Sequence, residues 1–358
     1  MGMKIIACGS PYGKGGIGRH FAQIVEEARE KGHLQHYYTP IIKPDDGQYG
    51  TRIPLREFDW IRHYTPVRFS QSWLSVAKGE IFDRKVASKL NEPAGVLVGF
   101  VGKTLHSFEK AKRLGFGKLE LIATNSHVNN LMRLHKRAGR ETGIHDSWLN
   151  EVQRRKTIKE YELADVIRVH SEYVRQTFIE EGVPEQKLER MYLTVHPRFK
   201  PPDGRPDDGV FRVVYVGRVE ATKGIPLLIE AFSRLSVSPA ELILVGGWST
   251  RAMRRYMEER MSRDPRIRLA PGDPLPILHQ ADVFVHPSYE DGFAYAPFEA
   301  LACGVPVIVT EDTGMKEYVE EGVNGFIVPT GNWKAIHERL EYVARHPISQ
   351  SFTLTNAS

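Results

Sequence analysis

Short apolar runs alternate with longer mixed stretches along most of this chain. The runs are Lys4–Cys8, Leu34–Tyr38, Val96–Val101, Leu119–Thr124 and Val166–Val169, then Phe211–Val216, Glu241–Val245, Arg266–Leu269 and Val283–Val285. Each is strand-sized and reads as a buried strand of a parallel sheet. The stretches between them predict helices: one ending near Lys31, then Phe82–Leu90, Leu105–Leu114, one from about Trp148, and one opening at the N-cap Ser171. Later helices are predicted at Ile225–Leu235, at Ala296–Ala302 with Gly304 and Pro306 as the stop, and at Trp333–Arg345. Strand and helix alternate in both halves. The fold class expected is α/β, with two doubly wound Rossmann-like domains facing each other across a cleft. Pro197–Gly209 holds four prolines, three aspartates and two glycines and reads as the linker. The expected organisation is residues 1–196, linker 197–209, a second domain 210–346 and a polar tail 347–358. Residues 41–75 are poorly patterned, with Tyr49, Phe58, Trp60, Tyr64, Phe69 and Trp73 scattered among polar residues. Aromatics of that kind line an acceptor pocket or, more commonly, pack locally.

Composition narrows the class. The 358 residues suffice for two ordinary domains. No apolar run approaches membrane-span length, and the run after Lys4 is too short for a signal peptide. Met1-Gly2 lacks the hydroxyl residue that myristoylation needs at position six. Cys8 and Cys303 fall in a predicted strand and a predicted core helix, as small buried residues suited to a cytoplasmic protein. Charge is uneven. Residues 1–200 hold 33 Lys and Arg against 23 Asp and Glu, a net of +10, while the remainder holds 16 against 21, a net of −5. The basic half is expected to be a solvated face, with peripheral contact to an anionic membrane as the sharper alternative. No nucleic-acid-binding motif accompanies the charge.

Three stretches carry chemistry. In Tyr289–Gly304 a strand-to-helix turn is flanked by Asp291 and Glu299, and Phe293, Ala294, Tyr295 and Ala296 present backbone N–H groups at a helix start. Such N–H groups attract phosphate, and carboxylates accept from sugar hydroxyls. In Gly217–Gly224, Arg218 and Lys223 stand five apart in a strand-end loop, spaced to converge on one diphosphate. In Gly9–Gly18, glycines allow a ligand close to the backbone. Gly13, Gly15 and Gly18 also match a dinucleotide fingerprint. That fingerprint wants an acid ending the next strand, but Leu34–Tyr38 runs into Thr39-Pro40 with no acid before Asp45.

Together these stretches resemble the retaining GT-B glycosyltransferases of family 4, the glycosyl transferases group 1. The tail Glu299–Gly304, EALACG, matches the family's acidic motif, whereas Asp291 stands for its first Glu and Ala294 for its second Gly. The resemblance implies a metal-independent, hexosyltransferase-type enzyme without a cofactor, whose donor substrate is a nucleotide-diphospho-sugar and whose acceptor is a glycan, lipid or small molecule. It gives Arg218 and Lys223 the diphosphate, Asp291 the sugar hydroxyls and Glu299 the ribose. Gly15, Gly16 and Ile17 lie against the donor's phosphates and sugar, and the Gly272 loop against the base. His127, just past a strand end, is placed near the donor sugar, with a helix-capping or core histidine as the alternative. Arg19 and His20 are expected on the helix surface. The family chain continues through further helices, so this sequence reads as short there, which would loosen domain closure. The rival classes are a binding-only relative, a GT-B phosphorylase and, from the first glycine loop alone, a dinucleotide oxidoreductase.

Overall fold

The computed structural model describes residues 2–206 and 208–348. The chain forms two compact units, Met1–Met132 with Ser147–Leu193, and Arg133–Asp146 with Thr194–Ser358.

In the first unit, seven parallel strands run in the order β3-β2-β1-β4-β5-β6-β7. They are β1 (Lys4–Ala7), β2 (Leu34–Thr39), β3 (Gly50–Arg52), β4 (Val96–Phe100), β5 (Lys118–Ala123), β6 (Val166–Val169) and β7 (Leu188–Arg190). Helices α1 (Gly15–Glu30), α2 (Arg56–Tyr64), α3 (Gln71–Lys89), α4 (Leu105–Leu114), α5 (Val128–Thr142), α6 (Glu151–Leu163) and α7 (Glu172–Glu180) connect them, with α5 belonging to the second unit from Arg133 onward. Every residue of β4 is buried, as a strand covered on both faces requires. Charged pairs gather on one part of this sheet: Arg168 of β6 bonds Glu120 of β5 through Nε at 3.1 Å, and Lys4 of β1 lies 3.5 Å from the same carboxylate. Ser171 caps α7 by accepting from the Val174 N–H, as its sequence position predicts.

Four expectations change in this unit. The helix expected from Phe82 starts at Gln71, and α2 lies where no element was expected. Helix α2 buries none of its residues, so no apolar stripe marks it. Trp60, Tyr64, Phe69 and Trp73 are exposed rather than packed. His20 is likewise not on the surface. It is buried, with its Nε2 3.3 Å from Nε2 of His170.

In the second unit, six parallel strands run in the order β10-β9-β8-β11-β12-β13. They are β8 (Phe211–Val216), β9 (Ala240–Val245), β10 (Ile267–Leu269), β11 (Val283–His286), β12 (Val307–Thr310) and β13 (Gly325–Val328). The helices are α8 (Ile225–Ser233), α9 (Arg251–Arg263), α10 (Leu275–Leu278), α11 (Tyr295–Ala302) and α12 (Trp333–Arg345). Asn332 caps α12 through its side chain, accepting from the Ala335 N–H. Arg205, in the proline-rich segment before β8, bonds the carbonyls of Ala281, Cys303 and Gly304 and so fastens that segment to this unit. Both cysteines are free and buried. Among the described residues no helix is long and apolar enough to cross a membrane.

Candidate functional site

The strand order of the second sheet reverses between β8 and β11. A parallel sheet opens a crevice beyond its carboxyl ends at such a point, because the loops on either side turn away from each other. The loop after β8 carries Arg218 and Lys223, and the loop after β11 carries Asp291. The Tyr289 N–H donates to the Thr222 carbonyl at 3.0 Å, which ties the two loops together. Gly224 makes this approach possible. Its φ is +69°, and a Cβ there would lie 1.9 Å from the Pro287 oxygen.

Lys223 and Asp291 meet. The Lys223 Nζ is 2.6 Å from Asp291 Oδ2 and also donates to the Glu290 carbonyl at 3.2 Å. His286, at the end of β11, places Nε2 3.4 Å from the same Oδ2. Burial raises the Asp291 carboxyl, but Lys223 and His286 outweigh it and hold the group well below the usual carboxylate range. Arg218 is half exposed and bonds the buried Glu220 through Nη1 at 2.9 Å. One cation is therefore already neutralised at the crevice and the other is anchored at its rim.

Helix α11 begins four residues after Asp291 with no side-chain cap, so the positive end of its dipole faces this loop. Ala294 has φ +68°, a region that a residue with a Cβ rarely adopts. Phe293 is buried edge-on against Phe298 and Tyr318, whereas Tyr295 and Ala296 are partly exposed. Glu299 is 2% exposed, inside the helix's buried face. Gly272 is exposed in the loop after β10, at φ +140°.

The remaining candidates lie in the first unit. Gly15, Gly16 and Ile17 form the exposed first turn of α1, again without a side-chain cap. Gly18 has a different reason: a Cβ there would lie 2.2 Å from the Pro11 carbonyl oxygen, so it closes the loop on itself. His127 is 4% exposed. Its ring packs on Tyr161 and Phe178, its Nδ1 accepts from the Asn129 N–H, and its own N–H donates to Thr177 Oγ1 at 3.0 Å. Burial pushes its pKa down to about 4, so the ring is neutral at pH 7. Its geometry is that of a capping and packing residue.

Sequence reasoning passed over Arg133–Asp146, which belongs to the second unit. Asp146 is buried and accepts from the Ala221 N–H at 2.6 Å, pinning the loop that holds Arg218 and Lys223. Burial, with Glu220 nearby, raises its pKa to about 6 against the lowering effect of the Ala221 and Thr222 N–H groups. Tyr289 donates to Glu141 Oε2 at 2.7 Å. His135 is buried near the cations, and burial, then Lys223 and Arg218, lower its pKa to about 3. The signal available was a basic, amphipathic run with no strand to follow it, which reads as an ordinary surface helix.

Residues 198–353 match the model of the glycosyl transferases group 1. The capsular polysaccharide biosynthesis glycosyltransferase CapM of Staphylococcus aureus is 35% identical over 140 residues, 37% of this chain and 36% of that protein. The chain spans about a third to just over half of the length of the curated relatives it matches first. Among solved structures, sucrose-phosphate synthase of Thermosynechococcus elongatus superimposes with a TM-score of 0.71 at 18% identity, over 96% of this chain and 90% of that one. Anabaena HepE, in complex with UDP and glucose, gives a TM-score of 0.62 at 14% identity, over 98% and 96%. The two Rossmann-like units thus have the fold of GT-B glycosyltransferases, and the second carries the sequence pattern of the glycosyl transferases group 1.

Proposed function

We propose that the protein moves a sugar from a nucleotide-diphospho-sugar to an acceptor hydroxyl, with retention at the anomeric carbon. The observation that carries this reading is the Lys223–Asp291 pair at the switch point of the second sheet, between the loop that also holds Arg218 and the loop that leads into α11. The bond from the anomeric carbon to the diphosphate oxygen breaks. The acceptor oxygen bonds that carbon on the same face, and its proton goes to the departing diphosphate. Charge then grows on the diphosphate, where Arg218, Lys223 and the N–H groups near Ala296 oppose it. Asp291 serves the sugar hydroxyls, Glu299 the ribose, and the Gly272 loop the base. Gly15, Gly16 and Ile17 contribute to holding the donor, and His127 shapes the end of β5. HepE with bound UDP and glucose supports a nucleotide-sugar as the donor class.

The test is a thermal-shift screen against UDP, GDP, ADP, TDP, their common sugars and NAD(P). A nucleoside diphosphate at a hundred times its dissociation constant adds about 2.7 kcal/mol of stability. Glu299→Ala is expected to weaken nucleotide binding, and Arg218→Ala mainly to slow transfer. No shift with any diphosphate, or unchanged kinetics in both variants, would sink the assignment. A donor that binds and is never consumed with any acceptor would leave the binding-only relative as the answer.

A further inference from the structure

His286, the last residue of β11, is 3% exposed, and neither Nδ1 nor Nε2 has a hydrogen-bond partner among the described residues. Almost every buried polar atom in a folded protein is paired, so an imidazole left over in a strand asks for a reason. Its place supplies one. Nε2 stands 3.4 Å from Asp291 Oδ2, just outside the usual N–H···O range. The same Oδ2 takes the Lys223 ammonium at 2.6 Å.

Two of these three groups are fixed by backbone. His286 lies in the sheet opposite Val309 of β12. The Asp291 N–H donates to the Asp312 carbonyl at 3.2 Å, and the Asp291 carbonyl accepts from the Gly314 N–H at 2.9 Å. Lys223 reaches the carboxylate on a flexible four-carbon stem. A diphosphate entering the crevice offers more negative charge than one carboxylate and draws that ammonium to itself. Asp291 is then a buried carboxylate short of its cation, a strongly unfavourable state. His286 is the neighbour placed to restore the balance.

The charged groups that face the ring are Asp291, in the loop that follows it, and Lys223, in the loop after β8. Behind them, Tyr215 of β8 faces Asp291, and His135 of α5 faces Lys223. Burial lowers the pKa of His286, Asp291 works against this, and Lys223 adds to it. Turning Lys223 toward an anion removes that last contribution, so the ring gains affinity for a proton.

We propose that His286 takes up a proton as the donor's diphosphate draws Lys223 away, and that its Nε2–H then donates to Asp291 and holds that carboxylate for the sugar hydroxyls. His286 is thus a positioning residue that acts through Asp291. The proton comes from solvent, the imidazole becomes imidazolium, and no bond of the donor changes in the step. The ligand in this inference rests on the glycosyl-transfer reading, whereas the coupling of Lys223 to His286 does not.

The full chain is titrated calorimetrically with UDP-glucose, ADP-glucose, GDP-mannose and TDP-glucose at pH 7, in buffers of different ionisation enthalpy, which counts the protons taken up. Nucleotide sugars are used because the terminal phosphate of a free diphosphate itself titrates at about pH 6. The nucleotide sugar that binds should bring a fraction of a proton with it, and its affinity should rise about tenfold from pH 8 to pH 6. His286→Gln keeps an N–H for Asp291 and cannot ionise, so it should lower the uptake and flatten the rise. Binding without uptake in the native chain, or uptake that His286→Gln leaves undiminished, would overturn the proposal and leave the glycosyl-transfer reading in place. Without ligand, the ring protons of His286 should titrate about one pH unit higher in Lys223→Met than in the native chain. An unchanged midpoint would also overturn the proposal. If no nucleotide sugar binds, the proposal falls together with the glycosyl-transfer reading, even where the midpoint moves.

Discussion

Ala294 is the residue at which this site departs most visibly from its pattern. The family's motif has glycine there, and the backbone, at φ +68° and ψ +108°, retains a conformation suited to glycine. A Cβ in such a region costs roughly 1–3 kcal/mol, and glycine returns about 0.5–1 kcal/mol of that through unfolded-chain entropy. Ala294→Gly should therefore stabilise the protein by about 1 kcal/mol, read as a higher denaturant midpoint at unchanged slope. The departure was legible in the sequence, but the strain was not, because a dihedral angle leaves no trace in composition. His127 shows the opposite limit. Its place at the end of β5 was legible, while its packing between Tyr161 and Phe178 depends on side chains 34 and 51 positions away.

At the scale of elements, the loop from Gly217 to Gly224 is held by the irregular segment after α5, far from it in sequence. Asp146 anchors it through the Ala221 N–H, and its raised pKa reports how poorly that place tolerates charge. Asn keeps the acceptor and cannot ionise, whereas Ala abandons the loop N–H groups. The expected order of stability at pH 8 is Asp146→Asn at or above the native protein, with Asp146→Ala below it by about 2 kcal/mol. Because the folded value lies above the ordinary one, the native protein gains on Asp146→Asn as pH falls through about 6. Chemical denaturation at pH 8 and pH 5 reads both effects. Nine strands were legible because parallel strands are continuous apolar runs, whereas β3, β7, β12 and β13 were not read from the sequence. Helix α2 was not, because it buries nothing.

For the whole molecule, buried ionisable groups set opposing slopes of stability against pH. Burial depresses His127 to about 4 and His135 to about 3, so stability held above pH 6.5 is lost as pH falls and the unfolded chain takes up the protons. Glu160, raised to about 7 chiefly by burial, works in the other direction, gaining stability as pH falls through 7. His127→Phe isolates one slope. Relative to this variant the native protein should lose on the order of 3 kcal/mol between pH 7 and pH 4, in denaturation midpoints taken across that range. A gap that does not change with pH would show that the ring titrates normally. The two-sheet architecture was legible from the alternation of strands and helices, and the route of the chain was not. Residues Arg133–Asp146 leave the first stretch of sequence to complete the second unit. Dissecting the gene at the proline-rich segment would therefore not yield that unit. A fragment starting at Thr194 would carry Tyr289 without Glu141 and the Arg218 loop without Asp146, and supplying the missing peptide in trans is what should restore it.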